Sequence, residues 1–355
     1  MIDLIAENSM IAQLTRGFLR SPLQRNRIHE SDAELLEVSA DGSFLAVTTD
    51  TVAEEIALGL YSEPYLAGWM VVMANMSDLA AVGAAPLGIL LSELFPTNFA
   101  QEEIDRLQQG IHDACDACGT FVLGGDTNIG DRLILTGCAI GTVSAGTALR
   151  RSGVRPGDLV YSTGRLGLGN AFALNQLAGY PTDKSAVVYK PSARLIQGRT
   201  IRGIATACMD TSDGMLATLD QLMRLNGVGF RVDADLESYF DPDALRIARL
   251  RKISPWLMLA GQHGEFELLF TVPSDGETML RAAAERDGWL PIRIGVATAQ
   301  PGIDINLNGR FVRVPGVRIR NLMANVGHSI TAYLQGLFAI DKEIQKGVSE
   351  HVATV

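Results

Sequence analysis

Five aspartates stand in short, turn-like segments: Asp50 in VTTDT, Asp78 in NMSDLAAVGAAP, Asp126 in LGGDT, and Asp210 with Asp213 in MDTSDG. Each follows an apolar run that reads as a buried strand or helix. Acids at the ends of such elements suit divalent-metal and phosphate chemistry. Mg²⁺ takes oxygen ligands in octahedral geometry and is held by a few carboxylates together with waters and substrate phosphates. Several converging acids therefore imply more than one metal, with a nucleotide supplying the remaining oxygens. Phosphoryl transfer then asks the protein for positioning and charge neutralisation rather than covalent chemistry.

A plainer role competes with this one. A carboxylate at a helix start caps free N–H groups and complements the helix dipole, which is worth about 0.5–2 kcal/mol. Ser212-Asp213-Gly214 before MLATLDQL fits a cap, and Asp126 after two glycines fits a turn. Asp50 fits less well, because Thr48, Thr49 and Thr51 surround it with hydroxyls.

The elements that must position these acids follow from periodicity and turn chemistry. Residues 1–30 read as one amphipathic helix (Ile2, Leu4, Ile5, Ile11, Leu14, Phe18) followed by the turn-rich SPLQRNR. Strands are expected around Leu35–Val38 and Ser43–Thr48, joined by a hairpin at Ala40-Asp41-Gly42, which places Asp50 where the second strand ends. YLAGWMVVMANMSDLAA reads as a buried helix carrying Asn75 and Asp78 on one face at i, i+3. LGILLSELFP is expected as a fully buried strand, QEEIDRLQQGIHDACDACG as a helix, FVLGGDT as a strand ending at Asp126, and RLILTGCAIGTV as a further strand.

RRSGVRPGDLVY marks a boundary, followed by the glycine-rich turn STGRLGLGNA. Beyond it come a helix through Ser192–Gly203, the helix MLATLDQLMRLNG, the strand VGFRVDADL, the segment GEFELLFTVP, and strands around IRIGVA and IDINLNGRFVRV. The tail from Asn321 reads as an added helix with Ile330, Tyr333, Leu334, Leu337 and Phe338 as its apolar stripe. The expected division is 1–150, 151–320 and 321–355.

A chain of 355 residues with 47% hydrophobic and 20% charged residues is expected to be globular and soluble. Its net charge of −10, without a Lys/Arg run, argues against a nucleic-acid partner. No segment reaches the roughly 18–20 apolar residues of a membrane span, and MIDLIAENSM lacks the basic and apolar regions of a signal peptide. A cytoplasmic location is the expectation. Cys115 and Cys118 form a CxxC without a second pair or a His at ligand spacing, so they read as buried thiols at a helix end rather than a zinc site. A Walker-type phosphate loop is absent, and STGRLGLGN serves a tight turn as readily as a nucleotide.

Taken in order, VTTDT, NMSDLAAVGAAPLGI, LGGDT, ALRRSGVRPGDLVYSTGRLG, MDTSDGMLATLDQL and GEFELLFTVP resemble the superfamily that unites aminoimidazole ribonucleotide synthetase, selenophosphate synthetase, hydrogenase maturation and thiamine-monophosphate kinase proteins. The thiamine-monophosphate kinase family is the nearest match, over roughly residues 30–320. The resemblance implies an α+β (two-domain α/β) fold: an N-terminal domain whose strands build a β-barrel across a homodimer, flanked by helices, and a C-terminal α/β domain with a mixed sheet. Mg²⁺ and ATP are implied between the domains.

Carried over by position, the resemblance makes Asp32, Thr48, Thr49, Asp50, Asp78, Asp126, Asp210 and Asp213 the metal-binding set. Gly125, Arg151 and Ser212 become nucleotide contacts, and Glu265 a substrate-side residue; Asp126, Asp213 and Glu265 are the implied catalytic groups. The kinases' Gly-Asp-Asp reads Glu30-Ser31-Asp32 here. Their Glu-Gly-Val-His reads Glu54-Glu55-Ile56-Ala57, the lysine before their Asn-x-Ser-Asp is Met70, and their Gly-Glu-Asp-Tyr-Glu is shortened to Gly264–Glu267.

Loss of a cation and a histidine weakens the case for an anionic acceptor. Kinase activity on thiamine monophosphate or another metabolite is the leading expectation. An ATP-driven ligase or cyclase of the same superfamily and a non-catalytic nucleotide-binding scaffold stay open beside it.

Overall fold

The computed structural model describes residues 4–38, 42–178, 186–307 and 309–352, with the backbone alone over 347–352. Two sheets organise the chain. The first contains β1 (Glu34–Glu37), β2 (Ser43–Thr51), β3 (Ala85–Pro96), β4 (Val122–Gly130) and β5 (Ile134–Ser144) in the order β1-β2-β5-β3-β4. The β3–β4 pair is parallel and the others are antiparallel. With it go α1 (Ala6–Thr15), α2 (Ala53–Ala57), α3 (Pro64–Ala81) and α4 (Gln101–Cys118).

The second sheet has the order β12-β11-β8-β10-β6-β9-β7. Its strands are β6 (Leu159–Ser162), β7 (Ala207–Asp210), β8 (Gly229–Val232), β9 (Leu268–Val272), β10 (Ile292–Thr298), β11 (Gly302–Leu307) and β12 (Arg310–Arg313). Its helices are α5 (Leu168–Leu177), α6 (Leu195–Thr200), α7 (Met215–Asn226), α8 (Leu236–Tyr239), α9 (Pro242–Arg251), α10 (Glu277–Arg286), α11 (Gly316–Arg320), α12 (Leu322–Asn325) and α13 (Ile330–Val352). The fold is mixed α/β in two domains. One apolar core spans both, because α3, apolar on nearly all sides, packs on β2 and β5 and also meets α6 and β7, and a second core lies within the C-terminal half. A helix hydrophobic all round must be covered all round, and Asp78 is thereby carried to the junction of the two halves.

Several expectations are corrected. The N-terminal helix spans only Ala6–Thr15; Ile5 is buried, but Leu14 and Phe18 face solvent and form no core stripe, while Ile2 lies outside the described residues. β3 is covered on one face only: Ile89 and Leu91 pack inward while Leu87 and Leu90 stand exposed. An apolar run without alternation does not distinguish the two cases. β4 continues past Asp126 to Gly130 and is exposed along almost its whole length, because it is the edge strand and pairs only with β3 among the described residues.

Within one chain the first sheet is open, and no closed barrel forms among the described residues. Strands β1 and β2 pair as expected, with Glu34 opposite Val47, while Ala40 and Asp41 of the hairpin lie outside the described residues. The helix expected over 192–203 is limited to Leu195–Thr200. The C-terminal tail is α12 and α13 together, and it is no loose appendage. Tyr333, Leu337 and Ile340 enter the second core, and Asp341 accepts from Ser254 Oγ at 2.9 Å and Trp256 Nε1 at 2.8 Å.

Candidate metal and nucleotide site

Three acids from three elements meet at the junction. Asp32 precedes β1, Asp78 lies on α3, and Asp210 ends β7; one carboxylate oxygen from each lies within 4.8 Å of the others. The backbone sets the meeting. Arg151 N–H donates to Glu30 O at 2.7 Å, and Cys208 N–H donates to Arg150 O at 2.8 Å, so the 150–151 segment ties the approach to β1 to the interior of β7. Arg151 Nη2 then donates to Asp32 Oδ1 at 2.8 Å. Burial opposes the guanidinium's charge, yet the Asp32 carboxylate beside it, with Asp78 and Asp210 behind, holds its pKa above the ordinary arginine value.

The acids are orientated by hydroxyls. Thr48 Oγ1 donates to Asp78 Oδ2 in a short contact. Ser77 Oγ donates to Asp210 Oδ2 at 2.7 Å, and Ser212 Oγ to Asp210 Oδ1 at 3.0 Å. Asn75 exchanges bonds with the Asp50 backbone, accepting its N–H at 3.0 Å and donating to its C=O at 3.3 Å, so α3 grips the end of β2. Thr49 turns the other way, to Gly137 O at 2.8 Å.

Crowding shows in the protonation preferences. Burial, then Asp32, pushes the Asp210 carboxyl up to about 7. Burial, then Asp50 and Asp210, pushes Asp78 well above the carboxylate range. Asp50 is raised by burial, then by Asp213 and Asp32, and Asp213 by burial, then by Glu7. Such a cluster is short of positive charge. Asp32 Oδ2 is buried and makes no hydrogen bond, although buried carboxylate oxygens are ordinarily satisfied. A divalent cation fits this donor set: hard oxygen ligands, one of them unclaimed, on a rigid frame.

The turn after Asp210 is built by close approach. Gly214, not Asp213, stands at the N-cap of α7 with φ +81°, and no side chain caps that end. Asp213 therefore does not serve as the helix cap that its position suggests, and its side chain lines a cavity beside the acids. Gly264 N–H donates to Ser212 O at 2.7 Å, and a Cβ on Gly264 would come within 1.4 Å of Thr211 O, so only glycine lets the two loops touch.

Two residues on, Phe266 adopts φ +59°. This left-handed backbone costs a bulky residue roughly 1–3 kcal/mol, and it sits between two buried acids. Glu265 accepts from Gly167 N–H at 2.9 Å and Gly169 N–H at 3.4 Å, at the start of α5. Burial, then Glu267, pushes its carboxyl up to about 8. Glu267 is clamped by both nitrogens of Arg194 and by Thr163 Oγ1.

The expected set thus divides. Asp32, Asp78 and Asp210 converge, with Thr48, Ser212 and Arg151 bonded directly to them, Asp50 close enough to be raised by Asp32, and Asp213 close enough to raise Asp50. Asp126 and Gly125 stand on exposed β4, where Asp126 accepts from Asn128 Nδ2 at 2.7 Å. Glu265 is turned onto the α5 N-terminus and does not line the cavity. Sequence reasoning passed over Ser77, although a serine next to an aspartate inside an otherwise apolar helix was a visible signal. It also passed over the buried group of Tyr61, His263, Tyr189 and Phe172, which no local pattern announces.

The description "AIR synthase related protein, N-terminal domain" matches residues 30–143, and "AIR synthase related protein, C-terminal domain" matches residues 128–308. The thiamine-monophosphate kinase of Halobacterium salinarum is 31% identical over 261 residues, spanning 74% of this chain and 87% of that protein. Among solved structures, the thiamine-monophosphate kinase of Stenotrophomonas maltophilia K279a superposes with a TM-score of 0.64 at 26% identity, over 87% of this chain and 98% of that one. AaThiL complexed with AMPPCP and TMP has a TM-score of 0.67 at 20% identity, over 88% of this chain and 98% of that one, a likeness of fold.

Proposed function

We propose, from the premise that this chain belongs to the AIR synthase related family together with the thiamine-monophosphate kinases, that it is an ATP-dependent kinase whose nucleotide is held through Mg²⁺ at the junction of its two domains. The observation that carries the site is the convergence of Asp32, Asp78 and Asp210 around an unclaimed carboxylate oxygen. Mg²⁺ bound there would neutralise phosphate charge. Asp32, Asp78 and Asp210 would hold it, with Asp50 and Asp213 alongside. Arg151, kept charged and aimed by Asp32, faces the same space and serves the nucleotide phosphates; Ser212 fixes Asp210. Glu265 acts at one remove, by holding the glycine-rich turn at the start of α5.

The division at about residues 150 and 320 is our proposal for the domains, with 321–355 as an extension folded onto the second. Homodimerisation through the first sheet completes the proposal. Edge strand β4 offers unpaired backbone and exposed Val122, Leu123 and Ile129, beside exposed Leu87 and Leu90 of β3. An edge of this kind requires a cover, and a second copy across it would build the dimer-spanning barrel. Asp126 and Gly125 would then lie in the interface groove. No helix among the described residues is long and apolar enough to cross a membrane, and we place the enzyme in the cytoplasm.

ADP release is the test, with thiamine monophosphate and a metabolite panel as acceptors and with Asp78→Asn and Asp126→Asn as variants. Mg²⁺-dependent ADP release that falls at least about 100-fold in Asp78→Asn supports the proposal, since electrostatic stabilisation by such groups is worth this much or more. Undiminished turnover in that variant refutes the metal site.

A further inference from the structure

Beside Asp213 opens a cavity of about 510 Å³. Its walls include α1 and α13, which lie outside the matched residues 30–308. α13 is fastened through Asp341 and α1 through the bonds that follow. Asn321 Nδ2 donates to Leu4 O at 2.6 Å and Asn321 Oδ1 accepts from Ala6 N–H at 2.8 Å, while Asn8 Nδ2 reaches Gln221 Oε1 of α7 at 3.1 Å. Leu174 and Leu177 of α5, Leu257 and Met258, and Leu334 and Phe338 of α13 make the interior chiefly aliphatic.

Its charges are one-sided. Glu7, Glu54, Glu55 and Asp213 line it against a single arginine and no lysine among the described lining residues. That arginine, Arg320, is committed to Glu7 Oε2 at 2.9 Å and Ala217 O at 3.1 Å. His263 is bonded to Tyr61 Oη at 2.8 Å and Gly169 O at 3.1 Å. Two polar atoms wait for a partner: Glu55 Oε2 is buried without a hydrogen bond, and the buried Tyr333 hydroxyl, beside the Gln262 backbone, has none at bonding geometry. A phosphate monoester placed here would be a desolvated dianion facing carboxylates. A cationic donor would answer Glu55, and an apolar body would fill the rest.

We infer that this cavity is the acceptor site and that it takes an apolar amino alcohol carrying no phosphate, with its amine toward Glu55 and its hydroxyl toward Asp213. The inference rests on the kinase reading above. In the reaction the acceptor oxygen bonds to the terminal phosphorus of ATP, the bond from that phosphorus to the bridging oxygen breaks, ADP leaves with that electron pair, and the hydroxyl proton passes to solvent. The product is a phosphate monoester of the amino alcohol.

Calorimetry on the full-length protein tests this with three probes, 8-amino-1-octanol, 1-octanol and octyl phosphate, each with and without Mg²⁺ and a non-hydrolysable ATP analogue. The analogue's own binding is measured separately, and its absence would count against the kinase reading alone. The amino alcohol is expected to bind at least about tenfold more tightly than octyl phosphate, because a buried uncompensated dianion is costly. Glu55→Gln should erase most of the preference for the amine over 1-octanol while leaving affinity for the analogue unchanged. Leu334→Lys, which supplies the missing cation, should improve octyl phosphate binding. Equal or tighter binding of octyl phosphate by the wild type, or an amine preference that survives Glu55→Gln, overturns the inference; so does binding of the analogue with no probe bound at all.

Discussion

Replacing Asp210 with asparagine should stabilise the metal-free protein at alkaline pH, the reverse of the usual effect of cutting into a buried hydrogen-bonded group. Carboxylate oxygens of Asp32, Asp78 and Asp210 all lie within 4.8 Å of one another. At an effective dielectric constant of about 20, each ionised pair at that distance repels by about 3.5 kcal/mol. Burial, then the charge of Asp32, raises the Asp210 carboxyl from an ordinary 3.8 to about 7, which corresponds to about 4 kcal/mol. The folded protein keeps this proton over a range where the unfolded chain has released it. Stability from this group is therefore full below pH 3.8, falls as pH rises, and is lost above about 7.

The neutral amide of Asp210→Asn would carry no such penalty and would forfeit part of the bonds from Ser77 and Ser212, about 1–2 kcal/mol. The net gain expected at pH 8 in chelator is about 2–3 kcal/mol, or roughly 3–4 °C in Tm for a chain of 355 residues. At pH 5, where wild-type Asp210 is already protonated, the gain should vanish or reverse. Excess Mg²⁺ should raise the wild-type Tm at pH 8 and leave the variant nearly unmoved. Differential scanning fluorimetry at the two pH values, with chelator or with Mg²⁺, reads all four conditions. A variant that melts below wild type by the same margin at both pH values, and responds equally to Mg²⁺, would refute the electrostatic account of the cluster.

Glu265→Gln should be close to neutral in stability at pH 4, where the carboxyl, ordinarily at 4.5 and pushed up to about 8 in the fold, is largely uncharged in both states; the variant should become progressively the more stable protein as pH rises toward 8, as urea titrations at pH 4 and 9 would reveal. Arg194→Ala should cost about 3–5 kcal/mol by stranding the buried Glu267 carboxylate, and adding Glu267→Gln should recover part of that loss in the same titration. Gly264→Ala should cost at least about 3 kcal/mol or displace the Ser212–Asp213 turn, since its Cβ would meet Thr211 O at 1.4 Å; a melting temperature equal to wild type would contradict the contact between the loops. Ile129→Glu should shift any dimer toward monomer in multi-angle light scattering without lowering Tm by more than about 2 °C, since the side chain is exposed in the single chain.

Much of the frame was legible because local rules agree with the fold. Asp50 lies at the end of its strand, Asn75 and Asp78 share the face of α3 that meets β2, and Cys115 and Cys118 end α4 as thiols that burial pushes up to about 11 and about 12. Where one face of an element is open, the pattern misled. β3 is as apolar as a buried strand, yet its outer face is uncovered, because apolar composition reports that a surface needs a cover and not whether the same chain supplies it. The N-terminal helix failed for a related reason: Leu14 and Phe18 recur at helical spacing, but the chain leaves the helix at Thr15 and both side chains stay in solvent.

Sequence by itself determined which residues are chemically equipped, since an aspartate after an apolar run is a ligand-grade oxygen wherever the run ends. Tertiary structure decided which of them act together. Asp32, Asp78 and Asp210 are separated by 46 and 132 positions along the chain and meet only because α3 is buried between two sheets. Asp126 carries the same local signature and stands apart on the edge strand, while Glu265 is drawn onto two glycine amides. Spacing along a chain fixes neighbours within a few residues. Charge crowding, an unclaimed carboxylate oxygen and the sign of a cavity's lining arise only when distant segments are desolvated together.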